Sequence, residues 1–173
     1  IESLLTKMAA KVEDGPCVAY VGPGGSGHFV KTVHNGIEYG IEQILAEAYD
    51  LMKRVKNMNG SQMSEVFGIW NNTDELASYL VEITEICLNT KDESTEEFVV
   101  EKILDKAGQK GTGLWTVVSA LELGVSVPTI YASLNARVMS SLKEQRSEIE
   151  KTIPMEAIDC LLYTSPSPRD SLS

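Results

Sequence analysis

The chain has 173 residues, 43% of them hydrophobic, with 15 Lys plus Arg against 25 Asp plus Glu for a formal charge of −10. That length and apolar content can bury a real core, in one domain or in one domain with a piece of another. The acidic balance disfavours nucleic-acid binding. The apolar run around Ile41 to Leu51 is interrupted by acidic residues well before the roughly eighteen residues of a membrane span, so a soluble protein without membrane attachment is expected.

Cys17, Cys87 and Cys160 are far apart and fit neither a paired-thiol nor a zinc spacing, which suits a reducing compartment and gives no metal site. Ile1 to Val12 reads as an amphipathic helix with Leu4, Leu5, Met8 and Val12 on one stripe, rather than as a secretory signal, and the first residue is Ile. A chain lacking its beginning is the expectation. Glu13-Asp14-Gly15-Pro16 stops that helix, and Cys17 to Val21 is a short β-prone run that predicts a strand. The loop Gly22-Pro-Gly24-Gly-Ser-Gly27 follows.

From Phe29 to about Lys56, Val30, Val33, Ile37, Ile41, Ile44, Leu45, Ala48 and Met52 keep a helical period without proline, predicting one long helix. Asn59-Gly60-Ser61 caps the next, to Trp70. Thr73-Asp74-Glu75 opens another to about Asn89, with Leu76, Leu80, Ile83 and Cys87 inward. Thr90 to Glu97 is a solvated connection, and Phe98 to Lys106 a short helix. After the glycine-rich stretch Gly108 to Gly113, helices are predicted from Trp115 to Leu123 and from Pro128 through Arg137 to about Lys151. There is no internal repeat. Leu161 to Ser173, with its Ser-Pro pairs, has no periodicity and reads as a tail outside the fold.

Three motifs can carry chemistry. Gly22 to Gly27 satisfies the dinucleotide fingerprint in form, but no second strand with an acidic residue returns within about thirty residues, so it reads as a sharp junction into a helix rather than a pyrophosphate site. At about 100° per residue, Lys31, His34, Asn35 and Glu38 fall on one helical stripe, with the lysine and glutamate on the order of 10 Å apart along the axis. They could converge on a small substrate, or form a solvated face. His and Asn are poor helix formers, and Gly36 and Gly40 on the other side point to the close approach of another backbone. The third motif, Asp105 to Trp115, is not a P-loop; it could receive an anion or only turn the chain.

Gly27-His-Phe-Val-Lys31-Thr-Val-His34-Asn35-Gly36-Ile37-Glu38-Tyr39-Gly40 and Ile103-Leu-Asp105-Lys-Ala-Gly108-Gln109-Lys110-Gly111-Thr112-Gly113-Leu-Trp115 resemble the catalytic helix and the signature loop of the 6-phosphogluconate dehydrogenase family. The resemblance runs in register from about Ile1 to about Lys151. It implies a mainly α fold: residues 1–27 as the end of a Rossmann-like NADP-binding α/β domain, residues 28–160 as an incomplete all-α substrate domain of the family's C-terminal type, and residues 161–173 as a tail foreign to the family.

The resemblance also implies an activity: oxidation of 6-phosphogluconate at C3 with NADP, loss of CO2, and tautomerisation to ribulose 5-phosphate, a step of the pentose phosphate pathway. Lys31 would be the general base and later acid, its charge disfavoured by neighbours or burial, and Glu38 the acid that protonates C1. His34 and Asn35 would hold substrate hydroxyls, Asn35 also facing the nicotinamide. Tyr39, Lys110 and Arg137 would surround the phosphate, with Thr112 nearby. A cytoplasmic homodimer is implied.

The sequence departs from the family at Gly40-Ile41-Glu42-Gln43, where Gly-Asp-Met-Gln is common, beyond the catalytic turns and of little expected consequence. The N-terminal cofactor domain and the C-terminal tail that reaches the partner subunit have no counterpart here, so the chain reads as a fragment that does not turn over substrate alone. Two alternatives stand beside this reading. One is another β-hydroxyacid dehydrogenase, such as the 3-hydroxyisobutyrate type, which usually follows the lysine with Asn-Asn and lacks both the Glu-Tyr pair and the loop. The other is a non-enzymatic helical interaction protein derived from the enzyme.

Overall fold

The longest helix is the axis on which the other helices pack. The computed structural model describes residues 1–153. In chain order it has α1 (Glu2–Met8), a two-residue antiparallel hairpin of β1 (Lys11–Val12) and β2 (Gly15–Pro16), then α2 (Ser26–Arg54), α3 (Gly60–Asn71), α4 (Tyr79–Asn89), a 3-10 turn (Val99–Lys102), α5 (Thr112–Glu122), α6 (Pro128–Ser141) and α7 (Lys143–Thr152). The described residues are mainly α, as expected.

At 29 residues, α2 is about 43 Å long. Its C-terminal half packs with α3 and α4: Met63, Phe67, Val81 and Leu88 form a buried cluster flanked by Leu45, Tyr49, Met52, Met58, Trp70 and Val100. Its N-terminal half packs against α5 and α6, whose Thr116, Val117, Ala120, Ser133 and Leu134 are buried. One helix therefore joins two small cores. The glycines make this possible on the N-terminal side, because Gly36 lies under Thr116 and Gly40 under Thr129 and Ile130. The close approach predicted there is made by side chains rather than by another backbone.

Capping explains several boundaries. Asn59 and Gln62 form a reciprocal capping box at the start of α3, the Asn59 side chain accepting from Gln62 N at 3.0 Å and the Gln62 side chain accepting from Asn59 N at 2.9 Å. The next helix begins later than Thr73. Thr73 Oγ1 accepts from Leu76 N at 3.2 Å in a local turn, and Ser78 caps α4 by accepting from Val81 N. That shift changes the inward face: Val81 and Leu88 are buried, Leu80 and Ile83 half-buried, and Leu76 and Cys87 exposed. Leu80, Ile83 and Cys87 line a shallow groove with Leu45 and Tyr49 of α2.

Other expectations are corrected. Cys17 to Val21 forms no strand; among the described residues it has no neighbouring strand to complete a ladder, and the only strands are the hairpin closed by Gly15 at φ 119. The first helix ends at Met8, and Leu4, Leu5, Met8 and Val12 are exposed. Phe98 to Lys106 contains only the 3-10 turn. The helix from Pro128 breaks at Leu142 (ψ 41), where the Ser140 and Ser141 hydroxyls donate to carbonyls three residues back, at 2.8 and 2.6 Å. Thr90 to Glu97 is the exposed connection expected, turned by Asp92, whose carboxylate accepts from the backbone of Ser94 and Thr95. Its neighbours hold that carboxylate well below the usual carboxylate range, chiefly through Ser94 and also through Lys102. Cys160 and residues 161–173 lie outside the described residues.

Candidate functional site

Gly22 at φ 141 and Gly24 at φ 61 bend the chain, and Ser26 Oγ donates to Pro23 O at 2.7 Å as α2 begins. The loop is thus a turn into a helix, with no strand leading directly into it and no parallel strand after it among the described residues. These residues do not fit the pyrophosphate of a dinucleotide.

The first two turns of α2 place the polar stripe. Lys31 Nζ lies 3.2 Å from His34 Nδ1, Asn35 Oδ1 lies 3.5 Å from the same nitrogen, and Glu38 Oε2 lies 3.7 Å from it. His34 therefore sits between the ammonium and the carboxylate that the helical spacing set apart. With Nδ1 unprotonated it accepts from Lys31; with Nδ1 protonated it donates toward Asn35 or Glu38. Lys31 and His34 are exposed and Glu38 is half-buried. Within the described residues, burial does not supply the desolvation expected at Lys31.

The next turn leads to a second cluster. The Arg137 guanidinium of α6 sits over the Tyr39 ring, its Cζ 3.6 Å from the centroid. Arg137 Nη1 donates to Gly108 O at 2.6 Å, and Nη2 pairs with the Glu42 carboxylate. Gly113 also packs closely on Tyr39, where a Cβ would come within 2.7 Å of the ring. Helix, loop and second helix thus meet at one guanidinium.

The loop from Asp105 is held to α6 and α7 at several points. Ser140 Oγ accepts from Ala107 N at 2.9 Å, and Asp105 accepts from Arg146 at 2.9 Å and pairs with Lys143. These partners lower the Asp105 pKa to about 2, Lys143 first and Arg146 second. Gly111 takes φ 98 before α5, and Thr112 O accepts from Thr116 Oγ1 at 2.9 Å. Lys110 is exposed, two residues past Gly108.

The structure thus brings together Lys31, His34, Asn35 and Glu38, and separately Tyr39, Arg137 and the Gly108 end of the loop that carries Lys110. Glu42, of little expected consequence from the sequence, touches Arg137. The available signal was its position four residues after Glu38, which continues the same stripe. Ser140 and Arg146 had no sequence signal.

Fold and site together define an all-α domain with a row of acid–base side chains beside a stacked guanidinium suited to an anion. The family model for the 6-phosphogluconate dehydrogenase C-terminal domain matches residues 27–166, and the chain belongs to that family. It is similar to the decarboxylating 6-phosphogluconate dehydrogenase of Synechococcus elongatus, 57% identical over 147 residues, covering 84% of this chain and 31% of the relative. The Spinacia oleracea enzyme named decarboxylating 1 is 50% identical over 159 residues, covering 92% of this chain and 33% of its own. Plasmodium falciparum 6-phosphogluconate dehydrogenase, solved in its apo form and in complexes with its cofactor NADP+ and its substrate 6-phosphogluconate, superposes with a TM-score of 0.84 at 44% identity, covering 96% of this chain and 34% of that one. The chain spans about a third of the length of these relatives. Among the described residues no helix is long and apolar enough to cross a membrane.

Proposed function

We propose that the chain is the catalytic-helix portion of an NADP-dependent, decarboxylating 6-phosphogluconate dehydrogenase. The observation that carries this reading is the continuity, along α2, of the Lys31–His34–Glu38 row with Tyr39, over which Arg137 of α6 sits. The arrangement can address a sugar acid at its reacting carbons and at its phosphate simultaneously.

In this reading Lys31 takes the proton of the C3 hydroxyl as C3 is oxidised. As ammonium it then stabilises the oxygen on which charge develops while CO2 leaves. Glu38 protonates C1 of the resulting enediol to give ribulose 5-phosphate. His34 and Asn35 hold the substrate hydroxyls, with Asn35 also toward the nicotinamide. Tyr39, Lys110 and Arg137 surround the phosphate, Thr112 beside them, and a planar guanidinium offers that anion two parallel donors. NADP supplies the hydride acceptor when bound, and the described residues provide no pyrophosphate site for it. His34 Nδ1, 3.2 Å from Lys31 Nζ and 3.7 Å from Glu38 Oε2, keeps the base and the acid of this reading within reach of one imidazole.

The same reading takes residues 1–27 as the end of the cofactor domain and the helices that follow as part of the substrate domain. It assigns a homodimer and a cytoplasmic setting; a chloroplastic Arabidopsis thaliana relative at 53% identity marks the plastid as the competing location.

The test is ligand-dependent stabilisation. At a concentration of 6-phosphogluconate a hundredfold above its Kd, the folded state gains about 2.7 kcal/mol and the melting temperature rises accordingly. The purified chain alone is expected not to reduce NADP with 6-phosphogluconate. An unchanged melting temperature contradicts the substrate assignment, and NADP reduction by the chain alone contradicts the account of the cofactor site.

A further inference from the structure

Arg137 has three constraints, and they differ in kind. Its face is covered by Tyr39 at 3.6 Å, Nη1 is held by the Gly108 carbonyl at 2.6 Å, and Nη2 is taken by the Glu42 carboxylate. Only the last carries negative charge. An aromatic face and a carbonyl leave the guanidinium a full cation, fixed in place, whereas the carboxylate neutralises it and fills the edge that an incoming oxyanion would use. The Arg137 side chain is only 17% exposed, so a ligand reaches it by displacing one of these partners.

Glu42 is placed to let go. It lies one helical turn beyond Glu38, at the end of the polar stripe, and its side chain is 41% exposed, so its carboxylate returns to water on leaving Arg137. Arg137 would remain oriented by Tyr39 and Gly108, with Nη2 free.

We infer that Glu42 is a built-in competitor for the anion site: its carboxylate occupies Arg137 until a phosphate group displaces it, and so sets the affinity threshold for the phosphate end of the substrate. The inference rests on the assignment of Arg137 to that phosphate. Glu42 yields only to ligands whose anion binds the fork more strongly than a carboxylate does, lowering their affinity by the strength of its own contact, and it leaves sugar acids without a phosphate unaffected. A dianionic phosphate monoester meets the first condition, with more charge than Glu42 and three acceptor oxygens.

The experiment titrates the full 173-residue chain, as wild type and as Glu42→Gln, with inorganic phosphate, 6-phosphogluconate and gluconate, followed by calorimetry and by the NMR signals of the Arg137 side chain. Glu42→Gln keeps the size of the side chain and removes its charge. Glu42→Ala is the second variant, and thermal melts confirm that both fold. Removing a partly exposed competing carboxylate is expected to tighten inorganic phosphate and 6-phosphogluconate about three- to tenfold and to leave gluconate unchanged. The gain is expected to vanish in the Glu42→Gln/Arg137→Met double variant.

Equal or weaker phosphate binding by both Glu42 variants overturns the inference, and makes Glu42 a support that orients Arg137. Absence of phosphate binding in every form overturns it equally. If phosphate tightens while 6-phosphogluconate binds no better than gluconate, the competition stands and the substrate assignment falls.

Discussion

Thr116 of α5 closes over Gly36 of α2 so tightly that a methyl group at Gly36 would lie 2.6 Å from both Cγ2 and Oγ1 of the threonine. The threonine has little freedom to withdraw, because its hydroxyl lies 2.9 Å from both Thr32 O and Thr112 O and its one proton is shared between them. This contact sets the distance between the helix carrying Lys31 and the helix that follows the glycine loop.

Gly36→Ala and Gly40→Ala are therefore expected to have opposite signs. Alanine at either position gains about 1 kcal/mol of helix propensity. At Gly36 the overlap outweighs that gain, for a net loss of about 1–2 kcal/mol. At Gly40 the new Cβ would meet Thr129 Cγ2 at 3.5 Å, an ordinary contact, so a net gain of about 0.5–1 kcal/mol is expected. Urea unfolding of the two variants checks both signs.

Asp105 links stability to acid pH. Lys143 and Arg146 lower its folded pKa to about 2, below the value of about 3.9 for an unfolded chain. A lowered carboxylate contributes stability that is fully present above the unfolded value and is lost as pH falls through the folded one. The attachment of the loop to α6 and α7 is thus expected to weaken between about pH 4 and pH 2, and Asp105→Asn to remove that part of the pH dependence. Hydrogen exchange of Ala107 N–H, which donates to Ser140 Oγ at 2.9 Å, reports the loosening.

Phe67 is fully buried among Met63, Val81 and Leu88, and meets Trp70 edge-on at a centroid distance of 5.0 Å. Phe67→Ala is expected to cost about 3–5 kcal/mol. Because this cluster lies at the C-terminal half of α2, exchange protection should fall first in α3 and α4, and later in α5 and α6. Loss of protection in all four helices together would contradict the separation into two cores.

Much of this was legible because helices write their contacts at fixed spacing. The long apolar period announced α2, Asn59 and Gln62 carry the α3 cap, and the row from Lys31 to Glu38 shares a face for purely geometric reasons. Contacts between distant segments have no such spacing. Nothing near Ser140 or Arg146 points to a loop more than thirty residues earlier, and Glu42 gains its meaning only when α6 delivers Arg137. The β-prone composition of Cys17 to Val21 favours extended backbone but cannot supply the neighbouring strand that a ladder requires. The break at Leu142 is marked by no glycine or proline, and consecutive serines turn their hydroxyls back onto the helix there.

The most direct test of the central claim is an NMR titration of the 173-residue chain with 6-phosphogluconate, with side-chain signals assigned along α2, the glycine loop and α6. Binding at the proposed site predicts that Lys31, His34, Asn35 and Glu38 shift together with Tyr39, Lys110 and Arg137, at one common Kd, and that Arg137→Met abolishes the phosphate-end shifts. No shift at these residues, or shifts confined to the cleft between Lys53, Arg54 and Lys143, would contradict it.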